Sequence, residues 1–98
     1  ISPNDHAIGV EHLAAALIAN GAADEAIPAL EQTLAKAGEL TDPDLIADLK
    51  FDLAKALWST GRDKARAKQL ARAALATYRK TPELVDEIAE AVGWLRSR

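Results

Sequence analysis

Leu13 to Gly21 reads L-A-A-A-L-I-A-N-G, and Leu53 to Gly61 reads L-A-K-A-L-W-S-T-G. The leading leucines, at positions 13 and 53, stand 40 residues apart. Each phrase follows an amphipathic stretch and leads, through its glycine, into a further alanine-rich stretch. Self-similarity at a fixed spacing marks an architecture in which each unit cannot bury its apolar face alone and must stack on its neighbour. Stacked helical units offer a concave face, so the repeated phrase points to a binding module and does not name the partner.

Outward from the two phrases, capping and breaking signals divide the chain into five helices. Ser2-Pro3 places a capping hydroxyl before a proline at the first helical position. A first helix is expected from about Pro3 to Asn20, with Val10, Leu13, Ala14 and Leu17 on its core face and Asn20-Gly21 as its stop. A second should run from about Asp24, its cap, to Ala37. It carries Ala26, Ile27, Leu30 and Leu34 inward, with Pro28 near the first turn and Gly38 as its end. Thr41-Asp42-Pro43-Asp44 offers two caps and an acidic first turn for a third helix. That helix has a stripe of Ile46, Leu49, Leu53, Ala54 and Leu57 and stops at Thr60-Gly61. The fourth aligns Ala67, Leu70, Ala71, Ala74 and Tyr78, a narrow face of small residues that lets two backbones approach closely. Thr81-Pro82-Glu83 repeats the cap-then-proline signal before a fifth helix, with Leu84, Ile88, Ala91, Val92 and Leu95 on one side. A last, unpaired helix is what a stacked array needs to cover its apolar end.

Composition agrees with an all-helical chain. Ninety-eight residues make one small domain, rich in alanine, leucine and charged helix formers, with aromatics at only 4%. Cysteine is absent, which removes disulfides and thiolate metal sites and leans toward a cytoplasmic setting. No apolar run approaches the roughly 18 residues needed to span a bilayer, so no membrane partner is expected. Methionine is also absent, and the chain is read as a fragment of something longer.

These residues resemble tetratricopeptide repeats over 7–37 and 47–80. Leu13, Ala14, Leu17 and Gly21 stand at the family spacing in the first unit, with Ala26 at the small position of its second helix and Leu30 at a usual aromatic position. Leu53, Ala54, Leu57 and Gly61 match in the second. There the small residue arrives one place late, at Ala67, so the turn should be one residue longer. The connector G-E-L-T-D-P-D-L-I-A-D, residues 38–48, is similar to that of the longer repeats of the kinesin light chain type. Residues 51–75 and the closing A-V-G-W-L-R, residues 91–96, are similar to the ends of repeat arrays in large bacterial serine/threonine protein kinases. The resemblance implies an all-α fold of two antiparallel tetratricopeptide-like hairpins, forming an α-α superhelix. The repeats would cover about 7–40 and 47–80, with a capping helix at about 82–97. It also implies a parent whose kinase domain lies outside this chain.

In that family the first helix of each hairpin lines a groove for a protein or peptide partner. The corresponding positions are Ile8, Glu11, Ala15 and Ile18 on the first helix, and Phe51, Lys55 and Trp58 on the third, with Asp48 at the edge. Two aromatics flanking a lysine supply contact area and a cation for a carboxylate. The bland reading is that neighbouring helices bury both rings, with Trp58 packing beside Trp94. The family's two-carboxylate clamp is not reproduced, since Lys55 stands alone.

Charge is laid out unevenly beneath a net −3. Residues 1–60 carry 10 acidic and 3 basic side chains, whereas residues 61–80 carry Asp63 alone against seven cations. Lys64, Lys68, Arg72 and Arg79 form one flank of the fourth helix. Pairing with acidic neighbours, or simple solvation, is the expectation there, with binding to an acidic protein partner through the convex side, or to an anion, as the alternatives. The balance is not basic overall and only Tyr78 is near in sequence, so nucleic acid is not the expected partner. His6 and His12 fall on different faces with no cysteine beside them, so no metal is expected. No G-x-x-x-x-G-K-[ST], G-x-S-x-G or H-R-D motif occurs, serines and threonines sit at caps, and the acids are read as solvated. The chain is therefore read as a non-catalytic module without cofactor. The alternative is structural: an end cap of a longer solenoid, or self-association through an apolar face of the N-terminal helix.

Overall fold

The computed structural model describes residues 2–98. It contains five α-helices and no strand among them: α1 (Pro3–Ala19), α2 (Ala23–Ala35), α3 (Pro43–Ser59), α4 (Lys64–Tyr78) and α5 (Val85–Arg96), with a 3₁₀ turn at Ala37–Glu39. Consecutive helices pack on one another, and α1 also packs on α3. The chain is thus all-α, as its composition requires.

The repeated phrase builds the same turn twice. Gly21 and Gly61 both take left-handed backbone, at φ 80° and 73°. That conformation is nearly free for glycine and strained for other residues. The amide of Ala22 reaches back to the Leu17 carbonyl at 2.8 Å, closing the end of α1. After Gly61 the chain inserts one more residue. Asp63, itself left-handed at φ 40°, caps α4 by accepting from the Arg66 amide at 3.1 Å. This is the longer turn expected from the late Ala67, and both alanines then sit four places into their helices.

The starts of α1 and α3 are tied side by side. The Asn4 amide group donates to Thr41 Oγ1 at 2.7 Å and its carbonyl accepts from the Thr41 amide at 3.1 Å. Asp42, not Thr41, caps α3, accepting from the amides of Asp44 and Leu45 at 3.0 and 3.4 Å. At the start of α1 Ser2 accepts from the Asp5 amide at 3.1 Å, as its position implies.

Three boundaries differ from the sequence expectation. Ala22, without a side-chain cap, starts α2, so Asp24 is the second helical residue and Pro28 falls inside the helix. Its ring removes one hydrogen bond from the helix interior, that to the Asp24 carbonyl, and both Pro28 and Asp24 lie on the exposed side of the helix. Gly38 does not stop α2. The helix ends at Ala35 and Gly38 lies within the 3₁₀ turn that tightens the exit. Thr81-Pro82 does not open α5 either. The Leu84 amide bonds to the Thr81 carbonyl at 2.9 Å in a separate turn, and α5 begins at Val85 with no side-chain cap.

The core is made largely of alanine and leucine. Ala26, Leu30, Leu49, Leu53, Ala54, Ala67, Ala71 and Ala74 are fully buried. Leu13, expected inside, is 56% exposed on the outer side of α1, while Ala7 and Ala14 hold the buried line of that helix. A core in which α4 contributes three buried alanines leaves no room for a larger side chain there. Ala67→Leu should destabilise the fold by about 1–3 kcal/mol through overpacking. Ala76→Leu, on the exposed side of α4, should change it by less than about 0.5 kcal/mol; urea melts of both variants check this.

Candidate functional site

Asp48, Asp52 and Lys55 recur at helical spacing on one side of α3. Glu11 approaches this side from α1, Tyr78 from the end of α4, and Glu87 and Glu90 from α5. Asp52 is the deepest carboxylate of the group, 5% exposed, in a helix that is otherwise apolar at its buried positions. Its Oδ1 lies 3.5 Å from Lys55 Nζ, and its Oδ2 has no hydrogen-bond partner among the described residues. Lys55 Nζ also meets Glu90 Oε2 at 3.3 Å and stands 4.6 Å from the Phe51 ring centre. One cation is thus shared between two helices and two carboxylates.

Burial and the adjacent Glu11 carboxyl push Asp52 up to about 9, and Lys55 only partly opposes this. At neutral pH Asp52 therefore holds a proton that it can donate toward Glu11. Asp48 is also raised, first by burial. The Tyr78 hydroxyl, donating to Asp48 Oδ1 at 2.5 Å, pulls it back, while Glu11, Glu87 and Asp44 raise it further. Burial and Asp48 in turn raise the Tyr78 phenol. The surface carboxylate Glu31 behaves oppositely: a two-pronged bond to Arg66, 2.7 Å on each arm, holds it below its usual value.

Of the residues expected to line a groove, Glu11, Asp48 and Lys55 are brought together. Ile8 is 41% exposed, Ala15 is exposed and Ile18 is half-buried against the core. Phe51 is buried, its ring meeting Trp94 edge-on at 5.9 Å and 88°. Trp58 is half-buried and meets the same Trp94 at 5.7 Å and 74°. Both aromatics thus hold α5, and Phe51 is off the accessible surface.

Two charge expectations change. Asp52 is buried, not solvated; an acid four residues from Asp48 on an apolar helix was its only sequence signal. Among the described residues, Arg66 alone of the seven cations in 61–80 makes an ion pair, so the fourth helix does not neutralise itself along its flanks. Both histidines are exposed, and no cluster of three potential ligands among the described residues could hold a metal ion. No described helix is long and apolar enough to cross a membrane. Comparison with protein-family models, with curated proteins and with solved structures gives no match.

The buried acid fixes a pH dependence. Its folded value, about 9, lies above the ordinary 3.8, so the folded state keeps a proton that the unfolded chain releases. The resulting stabilisation is complete below about pH 4 and falls as pH rises toward 9, by at most about 1.4 kcal/mol per pH unit. Asp52→Asn removes the titrating group. Urea denaturation at pH 5, 6.5 and 8 should show the variant gaining on the parent chain at each step upward.

Proposed function

We propose that this chain is a protein–protein interaction module of tetratricopeptide type, with a binding rather than a catalytic role. Its two hairpins, α1/α2 and α3/α4, would be closed by α5 as the capping helix. The shared side of α1, α3 and α5 would hold a basic segment of a partner, peptide or helix. The observation that carries this reading is the gathering of Glu11, Asp48, Asp52, Glu87 and Glu90 on this side, with Lys55 as the cation that meets two of them. A lysine or arginine from a partner supplies further positive charge at the accessible edge of the group and favours the ionised form of the raised acids. The likeness of residues 51–75 to kinase-tail arrays supports a recruiting role within a larger bacterial signalling protein.

Panning a random peptide library on the folded chain should enrich lysine- and arginine-containing sequences. Their affinity should increase from pH 6 to pH 9, because a bound cation favours the ionised form of Asp52. Glu87→Lys/Glu90→Lys, with an unchanged circular dichroism melt, should weaken an enriched peptide at least tenfold. Enrichment without basic residues, or affinity untouched by the charge reversal, would sink the reading.

A second reading, self-association or packing on a further repeat, has its own observation: Leu13 and Ile8 are 56% and 41% exposed on α1. In sedimentation over a hundredfold concentration range, a dimer that Leu13→Glu dissolves supports it. A monomer throughout removes self-association.

A further inference from the structure

We infer that the cleft between the end of α3 and the first half of α4 is a second docking site, for an extended acidic segment of a partner protein. The cleft is open, about 540 Å³, and lined by Trp58, Lys64, Ala65, Lys68, Gln69 and Arg72. Its cations converge. Lys64 Nζ stands 4.9 Å and Lys68 Nζ 5.7 Å from the Trp58 ring centre, and the Arg98 guanidinium lies 5.5 Å from the same point. Among the described residues none of Lys64, Lys68, Arg72 and Arg98 lies within 4.0 Å of a carboxylate oxygen. The charges of Lys64, Lys68 and Arg98 are held together by one indole, whose ring attracts cations but neutralises none of them.

The start of α4 sharpens the point. A helix N-terminus favours acids in its first turn, and α1, α2, α3 and α5 each have one there while α4 has none. It has Lys64 and Arg66 instead. Arg66 is neutralised by Glu31, and Asp63 is turned to the Arg66 amide as the cap. Lys64 therefore adds its charge to the positive end of the helix dipole at the mouth of the cleft, where the capping carboxylate of Asp63 is the one acid of the turn. Cations in a first turn that favours acids are the pattern expected where an outside group completes the site.

The spacing selects the occupant. Lys64, Lys68 and Arg72 follow one another along α4 at about 6 Å per step, a row about 12 Å long. An extended chain places alternate side chains on one side about 6.6–6.8 Å apart. Three acidic residues at alternate positions therefore meet the three cations in register. A nucleic-acid strand needs a longer basic track and open ring faces for its bases. Here the row is short, the Trp58 ring is already engaged by cations, and the chain carries net −3. The site shares no residue with the acidic side of α1, α3 and α5, and its test uses a ligand of opposite charge.

The experiment is a titration of the ¹⁵N-labelled full chain with a peptide of alternating glutamate and glycine. Its glutamine counterpart and a short oligothymidylate are run in parallel. The Trp58 indole signal is assigned by its survival in Trp94→Phe. The acidic peptide should shift that signal and the α4 amides from Lys64 to Arg72. It should bind at least tenfold tighter than the glutamine peptide, and lose that advantage in Lys64→Glu/Lys68→Glu. Should that variant melt early, Lys64→Gln/Lys68→Gln gives the same comparison with less perturbation. Equal binding of the two peptides, tighter binding of the oligonucleotide, or no shift at the cleft overturns the inference.

Discussion

One helix that meets every other helix of the chain sets the terms for this molecule. α3 packs against α1, α2 and α4, and Phe51, Lys55 and Trp58 fasten α5 to it as well. Helices meet at short range only where side chains are small, and the fully buried alanines of α2, α3, α4 and α5 supply that. The same crowding leaves few positions of α3 facing water. Any polar residue on it must be satisfied by protein, or by a proton. Asp48 takes the first route, through Tyr78; Asp52 takes the second in large part, because Lys55 is shared with Glu90 and Glu11 brings like charge.

Charge separation follows from where the helices end. Acids from α1, α3 and α5 collect on one side of α3, while the cations of early α4 gather round Trp58. Net charge hides this, since −3 describes neither region. Exposed ion pairs contribute little to stability, and the cations of α4 form almost none. Within the chain, what Lys64 and Lys68 find is the Trp58 ring, not an opposite charge. The Arg66–Glu31 pair shows the contrast: two aligned bonds from α4 to α2 consume both charges.

The turns were the most legible part of the sequence, because Gly21 and Gly61 are required by left-handed backbone and the requirement is local. Helix existence was legible for the same reason: alanine-rich segments with period 3.6 have no competing structure. Boundaries failed where two local signals competed. Thr81-Pro82 looks like a helix start, yet α5 begins only at Val85, and Gly38 looks like a stop where a 3₁₀ turn has already ended α2. Leu13 failed because α1 is buried on one side only and that side is lined by the small residues Ala7 and Ala14, so the larger leucine, the usual core marker, faces outward. Neither charged site was fully legible, and for one reason. Asp52 is paired with Glu11 from 41 residues away, and the cations of α4 find their aromatic on α3, not among their sequence neighbours. Sequence adjacency to Tyr78 was the wrong place to look.

α5 ties the two regions together. Only Ala91 of that helix is fully buried and its N-terminus has no side-chain cap; it packs on α4, lays Ile88, Val92 and Leu95 against the core, and is joined to α3 by aromatic edges and the shared Lys55. Glu87 and Glu90 stand at its acidic side, while Trp94 sits beneath Arg98 at 4.4 Å and against Trp58, the floor of the cationic cleft. A terminal helix with one fully buried residue and no side-chain cap opens more readily than α3, which is buried along most of its length. A ligand that requires α5 in place stabilises its docked state by mass action, whichever side it binds. Charges of opposite sign on the two sides of one weakly held helix therefore couple: occupying either region reduces the ordering that the other still needs.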